Sequence, residues 1–126
     1  RDIDQMVRQH INEGKSLYSL DLELLKRINP DLIITQGLCN VCAVAYDDVM
    51  VVAGALTPPA RVLSLSPGSL DEALRDIERV GKATGVSERS KTLVDLLRGR
   101  VGRVTARVPP GRARPRVACL EWLDPP

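Results

Sequence analysis

The chain has 126 residues, a length that suits one domain, and 44% of them are hydrophobic, enough to build a core. Only 2% are aromatic, with no Phe and only Tyr18, Tyr46 and Trp122, which argues against base-stacking nucleic-acid platforms and aromatic cages. The formal charge of +2 is too small to name a partner, and no apolar run nears the roughly 20 residues of a membrane-spanning helix.

In chain order, Ile3, Met6, Val7, His10 and Ile11 recur at helical spacing, with Asp2 as N-cap and Gly14 as stop. His10 lies on that apolar stripe, which makes it a packed histidine rather than a ligand or base. After a short loop, Asp21 caps a second helix, with Leu20 and Leu25 placed as a hydrophobic staple and Leu24, Leu25 and Ile28 as its inner face. Asn29-Pro30 ends it, because the residue before a proline avoids the helical region. Residues 31–36 form an apolar run of the kind found in strands buried on both faces of a parallel sheet. Asp47 or Asp48 starts a short helix through Ala55, and Pro58-Pro59 breaks the chain before a second strand, Arg61 to Leu65.

Ser69 and Glu72 are spaced as a capping box. Leu70, Ala73, Leu74, Ile77, Val80 and Thr84 then follow at three-and-four spacing until Gly85. Strand, helix, strand, helix with short turns predicts an α/β fold with a right-handed parallel layer. Ser87 is expected to cap a long helix whose seam is Leu93, Leu97, Val101, Val104 and Val108, persisting to Pro109-Pro110. A further strand is predicted over Arg116–Trp122.

Two features suggest chemistry. Cys39-Asn40-Val41-Cys42 is a C-x-x-C, which serves redox chemistry or half a zinc site. Further zinc ligands are distant in sequence, and a thioredoxin-like thiol needs the pair to open a helix, whereas the next helix starts only near Asp47. A structural pair is the simpler reading, with a redox or metal-binding protein as the alternative function. Seven arginines and no acids lie between Arg98 and Arg116. Arg98, Arg100, Arg103 and Arg107 flank the apolar seam, which reads as the wet side of a helix rather than a nucleic-acid footprint.

Four passages carry a resemblance: Ser16-Leu17-Tyr18-Ser19-Leu20-Asp21; Asn29-Pro30-Asp31-Leu32-Ile33-Ile34-Thr35-Gln36 running into Leu38-Cys39-Asn40-Val41-Cys42-Ala43-Val44; Val62-Leu63-Ser64-Leu65-Ser66-Pro67 with the Ser69 helix; and Leu120-Glu121-Trp122-Leu123-Asp124-Pro125-Pro126. In this order they resemble the periplasmic binding proteins that deliver cobalamin, ferric siderophores or haem to ABC importers. The resemblance implies two α/β lobes bridged by a long helix, with ligand in the cleft between them. Residues 1–86 match part of the first lobe, 87–110 the bridging helix and 111–126 the start of the second lobe, so the chain is expected to be a fragment that binds weakly alone. It further implies a non-enzymatic role, an extracytoplasmic location and an importer's membrane component as partner.

Ligands of open α/β sheets bind beyond the carboxyl ends of the strands. That rule and the resemblance select the same loops: Gln36, Gly37, Leu38 and Cys39 after the first strand, Ser66 and Pro67 after the second, Trp122, Leu123 and Asp124 after the third. Gln36 suits a hydrogen bond to a corrin side-chain amide. Trp122 suits either a ligand ring or the core. Glu72 is read as a contact to the importer or, more simply, as the capping-box partner of Ser69. No catalytic or metal site is expected. An uncovered sheet edge predicts self-association, with the long helix or last strand exchanged between chains.

Overall fold

The computed structural model describes residues 2–12, 18–37, 44–109, 111, 113 and 115–119. Seven elements follow one another: α1 (Asp2–Asn12), α2 (Leu22–Ile28), β1 (Leu32–Gln36), α3 (Tyr46–Ala55), β2 (Arg61–Leu65), α4 (Leu70–Ala83) and α5 (Ser87–Thr105). The strands pair in parallel, Leu32 opposite Arg61 through Gln36 opposite Leu65, and α3 connects them and packs on both. This is the α/β arrangement predicted from the sequence, as a two-stranded sheet among the described residues. None of their helices is long and apolar enough to cross a membrane.

The helix boundaries follow from capping. Asp21 is the N-cap of α2, its carboxylate accepting from the Leu24 amide at 2.9 Å, and Asn29 closes the helix in the left-handed region. Leu24 and Ile28 are exposed, however, and only Leu25 of the expected inner face is half-buried. In α1, which begins at Asp2 itself, Met6 is exposed. His10 is half-buried and turns back on its own helix, its Nδ1 donating to the Met6 carbonyl at 2.9 Å. Helix α3 starts at Tyr46, one residue ahead of the expected aspartates. These lie in the first turn, where the helix dipole favours negative charge.

Ser69 caps α4 by accepting from the Glu72 amide at 3.2 Å. Glu72 reaches one residue further back than a capping box requires and accepts from the Gly68 amide at 2.6 Å. At the other end, the Val86 amide donates to the Gly81 carbonyl (2.8 Å) and the Gly85 amide to Lys82 (3.4 Å), a Schellman closure. Gly85 sits there at φ 77°, a left-handed conformation that a side chain would strain.

Helix α5 departs from expectation in three ways. Its N-cap is Val86, with no side-chain bond, and Ser87 is the first helical residue. The Schellman turn places Val86 there directly, and the Ser87 carbonyl accepts from the Ser90 hydroxyl at 2.8 Å. The helix ends at Thr105 rather than at the prolines. Finally, α5 buries Ser90 and Val94 against α4, while Leu93, Val101, Val104 and Val108 of the predicted seam are exposed. Gly81 causes this rotation. A Cβ there would overlap Ser90, so α5 seats Ser90 in the gap and Val94 one turn later, at 0% exposure.

The strand predicted over Arg116–Trp122 does not form across its described part. Residues 115–119 are irregular and exposed, with no strand beside them among the described residues to supply a hydrogen-bonded ladder, and 120–122 lie outside the described residues.

Candidate functional site at the carboxyl ends of the strands

Parallel pairing puts the ends of β1 and β2 side by side, and three predicted site residues lie there. Gln36 is the last residue of β1 and is half-buried. The Gly37 amide divides its hydrogen bond between the Leu65 carbonyl (3.3 Å) and the Ser66 hydroxyl (3.2 Å). The approach is close enough that a Cβ on Gly37 would lie 2.9 Å from Ser66 Oγ and 3.2 Å from Ser64 Oγ. Gln36 lines a different pocket, with Leu20, Leu25 and Val44, whereas the Ser66 hydroxyl and the bare Gly37 backbone face one small region. They form hydrogen bonds readily, and none is a strong nucleophile.

Ser66 and Pro67 also line the mouth of an open groove of about 480 Å3 between β2 and α4. The helix contributes Glu72, Arg75, Asp76 and Arg79 at three-and-four spacing, so its polar stripe forms the opposite wall. Arg79 spans the groove: one guanidinium nitrogen donates to Asp76 Oδ1 at 2.6 Å and the other to the Ser64 carbonyl at 2.9 Å. Asp76 is 8% exposed and its Oδ2 has no hydrogen-bond partner among the described residues. Arg75 pairs with Glu72 at 3.5 Å. This polar wall was missed in the sequence, where an i, i+3 Asp–Arg pair on a helix reads as an ordinary solvated face.

No protein-family model, curated protein or solved structure matches the chain. Leu38, Cys39, Trp122 and Asp124 of the predicted site, and Cys42 of the C-x-x-C, lie outside the described residues. Cys119 is a free, exposed thiol. No group of three or more His, Cys, Asp or Glu side chains able to hold a metal ion occurs among the described residues.

Proposed function

We propose that this chain is a ligand-binding lobe of an ABC importer's two-lobed binding protein, non-enzymatic, with cobalamin or a related metal chelate as its cargo. On this reading α5 is the bridging helix, the second lobe follows it, and the protein works outside the cytoplasm against the importer's membrane component. The observation that supports it is the placement of Gln36, Gly37 and Ser66 at the carboxyl ends of two parallel strands, with the Gly37 amide bonded to the Ser66 hydroxyl. Sheets of this kind receive ligands there, and these residues offer hydrogen bonds to one.

The test is a cobalamin titration followed by tryptophan fluorescence and equilibrium dialysis, on this chain and on a form carrying both lobes. The two-lobed form is expected to saturate at micromolar ligand with quenched fluorescence, and Gln36→Ala to weaken it by about tenfold, the value of one good hydrogen bond. The 126-residue chain is expected to bind weakly or not at all. Its full saturation at low micromolar ligand would overturn the two-lobe requirement, and failure of the two-lobed form would overturn the cargo.

A further inference from the structure

Along α2, α4 and the first half of α5, a cation is repeatedly bonded to the acid three residues before it. Lys26 pairs with Glu23, Arg75 with Glu72, Arg79 with Asp76 and Lys91 with Glu88. Arg98, the next cation after Lys91, reaches across to Glu78 of α4 at 3.4 Å. There the pattern stops. From Arg98 to Arg116 the sequence holds seven arginines, no lysine and no acid.

Arg100, Arg103 and Arg107 are exposed and make no ion pair among the described residues. They recur at i, i+3 and i+7, so they share one face, on which like charges one turn apart repel. Each is followed by a valine, which lays a second stripe beside the first: Val101, Val104 and Val108, exposed at 41%, 66% and 57%. The helix ends at Thr105, but the Ala106 amide still bonds to Gly102 and the Arg107 amide to Val104, so both stripes run on into the closing turn. With the valine seam exposed rather than buried, these arginines are not the wet side of a packed helix. Cationic and apolar stripes lie together on one open surface. The negative end of the helix dipole attracts a cation only within the last turn, and Arg100 precedes that turn.

We propose that this Arg–Val surface docks on an anionic phospholipid bilayer, with the arginines on lipid phosphates and the valines at the headgroup boundary. The charge is complementary, and clusters of about four to eight cations on an amphipathic helix bind anionic lipid surfaces. Every cation of the stretch is an arginine, whose planar fork matches phosphate oxygens two at a time. The valine stripe decides between polyanions. A bilayer takes up apolar side chains beside the cations, whereas a nucleic-acid backbone does not, and the chain's three aromatic residues supply no base-stacking platform. Arginine stems also cover apolar surface while their heads stay at the phosphates. The contact is shallow and reversible, and it stands apart from the cobalamin reading because it needs no cargo.

Flotation of the 126-residue chain with phosphatidylcholine vesicles, with and without about one third phosphatidylglycerol, tests it. Binding is expected to the anionic vesicles only, and to fall as salt screens the charges. Arg100→Gln, Arg103→Gln and Arg107→Gln together should weaken it about a hundredfold, at roughly fivefold per arginine, with the circular dichroism spectrum retained. The same three positions changed to Lys should keep most of the binding, and the salt titration reads the charge dependence without any variant. Val104→Ser with Val108→Ser should weaken binding about fivefold, a loss that a purely electrostatic contact would not show. A form carrying both lobes should bind the anionic vesicles as well; its failure would mean that this surface is covered within the longer protein. That result, equal binding to neutral and anionic vesicles, no binding to either, indifference to the Gln or the Ser variant, or binding to an RNA oligonucleotide but not to vesicles would overturn the proposal.

Discussion

Asp76 and Arg79 lie one turn apart on α4, and their environments are unequal. The aspartate side chain is 12% exposed and the arginine 49% exposed. Removing either partner breaks the same 2.6 Å contact, but what is left behind differs. Arg79→Ala strands a buried carboxylate that already has one unsatisfied oxygen, and should cost about 2–3 kcal/mol. Asp76→Ala leaves a half-exposed guanidinium that water can solvate and that keeps its bond to the Ser64 carbonyl. Its cost should stay under about 1 kcal/mol. Urea denaturation of the two variants checks the order, and equal losses would refute the asymmetry. At the strand ends, Gly37→Ala would bring a methyl group against Ser66 Oγ and should lose about 1–2 kcal/mol. Adding Ser66→Ala relieves the nearer of the two hydroxyl contacts and should return part of that loss, measured by the same denaturation.

At the scale of elements, the α4–α5 hairpin depends on one missing side chain. Gly81→Ala improves helix propensity by about 1 kcal/mol, yet its Cβ would overlap both side-chain atoms of Ser90. Backbone and packing must shift, so a net loss of about 1–2 kcal/mol is expected in thermal unfolding. Ser90→Gly in the same chain should restore most of it. A Gly81→Ala variant as stable as the parent would show that the helices are not in close contact there. The sequence makes the existence of this hairpin plain, through Ser69, the apolar spacing of α4 and Gly85, but not its rotation. Leu93, Leu97, Val101, Val104 and Val108 form a regular stripe, and periodicity alone selects it. The buried stripe starts at Ser90, a polar residue, because a glycine on the other helix has made room for it. The strands were legible from their unbroken apolar runs, and with them the placing of Gln36, Gly37 and Ser66 at their carboxyl ends. The polar groove wall was not, since burial of Asp76 depends on β2 lying opposite α4. Nor does the apolar pattern of residues 116–119 make a strand where no neighbour among the described residues pairs with it.

Taken whole, the described molecule has two packed parts: the β1–α3–β2 unit, and the α4–α5 hairpin tied to β2 by Arg79 and by the Arg61 guanidinium on the Ala83 carbonyl at 2.6 Å. Its fully buried apolar residues are Val49, Val52, Ala53 and Leu56 around α3, with Leu74 and Val94 between the last two helices. Val94 and Leu74 each contribute about 1.5–3 kcal/mol by burial, and the rest is smaller or shared. Among the described residues Val94 is the one large side chain fully enclosed, so the hairpin should be most sensitive there. Val94→Ala leaves a cavity between α4 and α5 that the two helices close only in part, and should cost about 2 kcal/mol. With an unfolding entropy of about 2.1 cal/mol/K per residue, that loss should lower Tm by about 7 °C, measured by circular dichroism melts. Val101→Ala, at an exposed position of the same helix, should shift it by less than about 2 °C, and equal shifts for the two variants would mean that burial against α4 does not decide the stability of α5.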